Sequence, residues 1–232
     1  MSRLVPICGG LLLALIVASK VVQADDTPEI AQAKQQTTNQ LKTIGIAMHN
    51  HHEVYKKFPP PAIFDKNGKP LLSWRVKLLP FLEQQPLYKE FHLDEPWDSQ
   101  HNLKLLERMP SVYRCPLSKA ADRNHTVYQV PCGPSTIFPA PESTSIRNIT
   151  DGTSNTILLV ETDEEHAVPW TKPDDWQFDP ERPGAGLAGH FPEVFFVGAA
   201  DVSVHELPLT IETDRLRGLF TRNGREPVAF PQ

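Results

Sequence analysis

From Pro28 to about Lys57, apolar and near-apolar positions recur at spacings of three and four. Ile30, Ala33, Thr37, Leu41, Ile44, Met48, His52 and Tyr55 make the series. That spacing predicts one face of a helix. Pro28 suits its first turn and Thr27 its N-cap. The stripe is weak before Leu41 and strong after it. Gln32 to Gln40 is polar all round and is expected to project or fray, while the half from Leu41 onward packs. Pro59, Pro60 and Pro61 forbid further helix.

Beyond the prolines the pattern shortens. Asp65 to Lys69, with Asn67-Gly68, predicts a turn or hairpin tip. Ser73 caps a short helix through Leu79, and Pro86 to Phe91 forms another helical turn. Trp97 to Met109 is expected to be helical, capped by Asp98 or Ser99 and ended by Pro110. After Ser111 short β patterns take over: Val112 to Cys115, Thr126 to Val130, Thr156 to Glu161, Val194 to Val197 and Val202 to Leu207. No crossover-length helix joins them, so the sheet is expected to be mainly antiparallel. Pro169 to Pro192 predicts a long irregular excursion. Ile211 to Arg222 predicts a last helix, with Asn223-Gly224 at its end and a loose tail after Pro227.

Composition changes this picture in two places. Proline is high, 23 residues against 12 glycines, which favours rigid turns over long helices. The net charge of −5, with no basic block, would repel a phosphate backbone and argues against nucleic acid as a partner. The first 24 residues predict a secretory signal. Arg3 precedes an apolar run from Ile7 to Val17, and Val22-Gln23-Ala24 offers small residues at a cleavage site. The run is short for a span of roughly 20 residues and Lys20 interrupts it, so no stable membrane span is expected after cleavage. A retained anchor is the other reading. The chain then divides into a signal (1–24), a polar helical linker (25–40), one domain (41–226) and a flexible tail (227–232).

Export bears on the cysteines. Only Cys115 and Cys132 would survive processing. An oxidising compartment favours a disulfide between them. Its loop of about 18 residues would contribute roughly 3 kcal/mol in the chain-entropy model. The other reading is two unpaired thiols.

Several consecutive motifs share one resemblance. They are Leu41 to Asn50; Phe58-Pro59-Pro60; Leu72-Ser73-Trp74-Arg75-Val76; Leu78 to Gln84; Pro96-Trp97-Asp98-Ser99 with Asn102; Tyr113-Arg114-Cys115-Pro116; Ile149 to Ile157; Glu161; and Val168 to Pro173. In this order they resemble the DUF1559 family, over about residues 39–226. The resemblance implies an α+β, pilin-like fold: a long N-terminal helix packed on a mainly antiparallel β-sheet, with short extra helices. Two departures stand out. The Gly-Phe-Thr-Leu-x-Glu leader is absent, and Asp25 to Gln40 is too polar for a hydrophobic assembly stem. Members often carry His, nine residues, then Asp-Gly before a final strand. Here His190 precedes Asp201-Val202, and a β-branched residue in the Gly place predicts a turn of different geometry or a shifted one.

Candidate chemistry is sparse. His49, His52 and Glu53 share a helical face and could begin a metal site, but HExxH is absent and a cap-side histidine cluster is the plainer reading. Trp74, Arg75, Trp97, Asp98 and Asn102 predict a packing and hydrogen-bond cluster, with Arg75 paired to Asp98 or Glu83. A ligand pocket is the alternative. Asp151, Gly152 and Asn155 predict a turn; its oxygen-rich side chains also admit calcium. No nucleophile elbow, phosphate loop or dinucleotide fingerprint is present. No cofactor is therefore expected. The expected role is an exported, non-catalytic interaction protein of the bacterial periplasm or cell surface, with other envelope or secreted proteins as partners. An exported metal-dependent hydrolase and a small-ligand module are the alternatives.

Overall fold

The computed structural model describes residues 26–142, 144–226 and 228–231. The expected secretory signal lies outside the described residues. Among those described, no helix is long and apolar enough to cross a membrane.

Helix α1 (Pro28–Tyr55) starts where expected. Thr27 Oγ1 accepts from the amide of Ile30, and Pro28 sits in the first turn. It stops because Lys56 turns left-handed (φ 61°), its amide donating to His52 O. Leu41, Ile44, Ala47 and Met48 are sealed from solvent. Fully burying each large side chain among these contributes about 1.5–3 kcal/mol relative to exposure. Ile46, Val54 and Tyr55 remain outside.

The polar half of α1 neither projects nor frays, which corrects the linker expected over 25–40. Ala33, Thr37 and Gln40 are buried. Gln40 Nε2 donates to Ser111 O and Arg114 O, and its Oε1 accepts from Tyr128 OH at 2.8 Å. Lys34 pairs with Glu206 at 3.1 Å. Hydrogen bonds dock this half where apolar area is lacking, and periodicity does not register them.

A hairpin follows: β1 (Ala62–Phe64) and β2 (Pro70–Ser73). Its tip is the expected turn, with Asp65 Oδ1 accepting from the amides of Asn67 and Lys69, and Gly68 at φ 80°. Single-turn helices α2 (Trp74–Lys77) and α3 (Gln85–Tyr88) come next, then a 3-10 stretch over Asn102–Arg108. Ser111–Tyr113 is also a 3-10 turn, not the expected strand, because Pro110 O captures the amide of Tyr113. Short strands β3 (His125–Thr126) and β4 (Tyr128–Gln129) precede β5 (Ile157–Glu161), β6 (Val168–Pro169), β7 (Val194–Ala199) and β8 (Val204–Pro208). Helix α4 (Thr213–Phe220) ends the fold, capped by Thr221 and not by Asn223-Gly224.

The main sheet has the order β4-β5-β7-β8, every pair antiparallel; β3 pairs antiparallel with β6 apart from it. Both faces of the sheet are covered. Phe196 and Leu159 join the core beneath α1. Ile157, Val160, Phe195, Val197 and Leu207 join a second core with Leu216, Leu219 and Phe220 of α4 and Trp176 and Leu187 of the excursion. The result is α+β, three layers deep.

The excursion from Pro169 to Pro192 is irregular, as expected, and it is pinned: Trp170, Thr171, Asp175, Trp176, Leu187 and Phe191 are buried. Two further expectations are corrected. The tail is not loose at Phe230, which is buried and stacks on His205 with 3.9 Å between ring centroids. The β7–β8 turn does not shift to suit valine; Val202 itself takes φ 75°. Such a conformation costs on the order of 1–3 kcal/mol and persists only where the surroundings enforce it. Packing against α1 enforces it here: a Cβ added to Gly45 would sit 3.2 Å from Val202 Cγ1.

Candidate functional site

The structure builds two buried polar clusters around the expected residues and keeps the α1 histidines apart. The first centres on Arg75. Ser73 ends β2 and caps α2, so Trp74 and Arg75 point inward from a one-turn helix. Arg75 is 0% exposed and cannot shed its charge. Its Nη2 meets Asp175 Oδ1 at 2.8 Å, and Nε and Nη2 both donate to Tyr128 O. Nη1 donates to Ser73 Oγ, and the guanidinium lies 4.7 Å from the centroid of the Trp74 ring. Asp175 Oδ1 also accepts from Trp74 Nε1 and from the amide of Val130. Burial pushes the Asp175 carboxyl up to about 6, against the pull of the Arg75 charge.

The partner of Arg75 is therefore Asp175, in the excursion, and not Asp98 or Glu83, which are exposed. Trp97 is only half-buried and lines an open groove of about 770 Å³, whereas Trp74 is sealed, so the two do not form one pocket. Asn102 is wholly buried. It accepts from the amide of His92 and donates to His92 O, Glu95 O and Pro96 O, holding a loop.

The α1 histidines diverge. His49 Nε2 bonds Ala200 O, His51 Nδ1 bonds Lys57 O, and His52 Nε2 accepts from the amide of Ile146. Glu53 is exposed beside Lys56. Burial holds His51 and His52 below the ordinary imidazole range, and neighbouring positive charges add to this. A metal site of His49, His52 and Glu53 does not assemble. Asp151, Gly152 (φ 97°) and Asn155 form the expected turn. Asp151 Oδ2 accepts from Thr221 Oγ1 and the amide of Gly224, and Oδ1 from the amide of Arg225, so the carboxylate ties down the chain end.

The second cluster joins residues the sequence names separately. Cys115 and Cys132 are free, buried thiols, so the expected disulfide does not form. They face different partners. Cys132 lies between Phe138 and Gln177, and Cys115 Sγ donates to Glu161 Oε1 at 3.3 Å. Glu161 ends β5. His190, from the end of the excursion, sets Nδ1 3.2 Å from the same Glu161 Oε1 and Nε2 3.2 Å from Glu164 Oε1. Glu164 in turn accepts from the amides of Lys119 and Ala120. The Tyr128 hydroxyl reaches Cys115 and links the cluster to Gln40 of α1.

Burial, and then the Glu161 charge, pushes the Cys115 thiol far up, so it is no nucleophile as it stands. Burial alone would lower His190, but its bonds to Glu161 and Glu164 and their charges outweigh that and raise it. Glu161 Oε2 is buried without a hydrogen-bond partner. Cys115 and Glu161 lie 46 residues apart, and no local spacing connects them or reaches His190. The only signal in the sequence was that each sits in a recognisable motif.

No curated protein matches the chain, and no solved structure does. Residues 32–137 match the family described as protein of unknown function (DUF1559). That stretch runs from the first turns of α1 past Cys132 and takes in Trp74, Arg75, Trp97, Asn102 and Cys115; Glu161 and His190 lie beyond it. Over residues 32–137, the chain matches the DUF1559 family.

Proposed function

We propose that the chain is an exported, non-catalytic protein of the cell envelope or surface, a pilin-like scaffold that works by contacting other exported proteins. One observation carries this reading. The residues richest in chemistry spend their polar atoms on the chain itself: Arg75 on Tyr128 O, Ser73 and Asp175, Asn102 on three carbonyls, Asp151 on the chain end. A group so engaged holds shape and is not free to act on a substrate. The long helix laid on a four-stranded antiparallel sheet supports the pilin-like part. The exposed Ile46 and Val54 of α1 give a partner apolar ground.

The test uses cells producing the full chain, with a photo-crosslinking residue at Ile46. The expected result is an exported product beginning at Asp25, crosslinked to another envelope or secreted protein. A cytoplasmic product still beginning at Met1, or an exported one that crosslinks to nothing, would overturn the reading.

A further inference from the structure

We propose that Cys115, Glu161 and His190 bind one divalent transition-metal ion, zinc(II) by their donor chemistry, as a structural clamp. The inference does not rest on the exported, non-catalytic reading. Geometry is its first support. One ligand atom from each residue lies within 4.8 Å of the other two. Ligand atoms of a tetrahedral zinc ion lie about 3.3–3.8 Å apart, given bonds of about 2.0–2.3 Å. The observed 3.3 Å from Cys115 Sγ to Glu161 Oε1 sits at the short end of this range, and the 3.2 Å from that oxygen to His190 Nδ1 lies just below it. An ion between the three needs only a small outward shift.

Burial is the second support. Cys115 is 3% exposed, and the Glu161 and His190 side chains are 2% and 4% exposed. A carboxylate so deep is costly unless its oxygens are engaged, yet Glu161 Oε2 has no partner. An ion held by both carboxylate oxygens would give Oε2 the partner it lacks. Thiolate and carboxylate together would neutralise the dication, and the Cys115 S–H proton, with any proton on His190 Nδ1, would leave as it binds.

The surroundings of the histidine are the third support. With Nδ1 facing the ion, Nε2–H donates to Glu164, itself fixed by two backbone amides. A carboxylate behind the ring sets the tautomer and raises ligand basicity, as metal-bound histidines require. A thiolate with an imidazole selects a borderline-soft ion over calcium or magnesium. Three protein ligands leave one vertex for water, in a site too enclosed for a substrate. The ligands come from the segment after Ser111–Tyr113, the end of β5 and the end of the excursion, so an ion would join three parts of the chain far apart in sequence.

The test is titration of the purified, reduced full chain with zinc(II) and, as a spectroscopic stand-in, cobalt(II). We expect one zinc per chain, a higher melting temperature with zinc, and a cobalt–thiolate charge-transfer band. Cys132→Ser and His49→Ala should keep all three. Cys115→Ser should lose the band and at least tenfold in affinity, and Glu164→Gln should lose about 10–100-fold. Should Cys115→Ser fail to fold, the band persisting in Cys132→Ser decides for Cys115. No stoichiometric binding by the folded chain, binding unchanged in Cys115→Ser, or a band lost in Cys132→Ser would each overturn the proposal.

Discussion

Two buried clusters of charged and polar side chains meet Tyr128, one at its carbonyl oxygen and one at its hydroxyl, and they differ in what faces their carboxylate. Around Arg75 the donors and acceptors nearly close on themselves, with Asp175 Oδ2 the one orphan. Around Glu161 a neutral thiol and an imidazole crowd one carboxylate oxygen while the other has nothing. Burial alone does not mark a site, since both clusters are buried. The difference lies in what faces the carboxylate: a permanent guanidinium charge holds Asp175 to the fold, whereas metal-ligating groups face Glu161 and leave capacity over.

The sharpest way to break this contrast is to open the closed cluster. Asp175→Asn leaves the Arg75 guanidinium buried without a counter-charge and should cost about 3–5 kcal/mol in urea unfolding. The double variant Arg75→Met, Asp175→Leu should lose clearly less than the two single changes summed. Without added metal, Glu161→Gln should cost only roughly 1–2 kcal/mol, because it removes hydrogen-bond acceptors and strands no permanent charge. A loss equal to that of Asp175→Asn would erase the difference between the clusters.

Gln40 bridges α1 to the Tyr128 between them. Gln40→Leu should cost about 2 kcal/mol by stranding Ser111 O, Arg114 O and the Tyr128 hydroxyl, and a neutral result would return the polar half of α1 to the status of a linker. Gly45→Ala should cost roughly 1 kcal/mol by crowding Val202, and Val202→Gly in that background should recover it, measured as a double-mutant cycle. The smallest effect is in pH. His51 is buried and held below its unfolded value, so the unfolded chain takes up a proton first and stability falls as pH drops through about 6.5. His51→Phe should flatten the fall in melting temperature between pH 7 and pH 5, and an unchanged slope would show that His51 does not carry it.

The local chemistry of the chain was legible because it acts over a few residues. Thr27 and Pro28 start α1, Asp65 to Gly68 turn the hairpin, and the stripe from Leu41 to Met48 declares a buried face before any fold is known. The cluster of Trp74, Arg75 and Asn102 was recognisable as packing, but its acid was not. Asp175 lies a hundred residues from Arg75, on a proline-rich stretch whose composition reads as irregular. The disulfide between Cys115 and Cys132 was a statement about compartment and count, and neither places a thiol in space. Tertiary structure alone decided which acid faces Arg75, that a valine is held at φ 75°, and that Cys115, Glu161 and His190 meet. These are contacts between distant segments, enforced by the packing of α1, the sheet and the excursion, and periodicity or spacing along one segment carries no term for them.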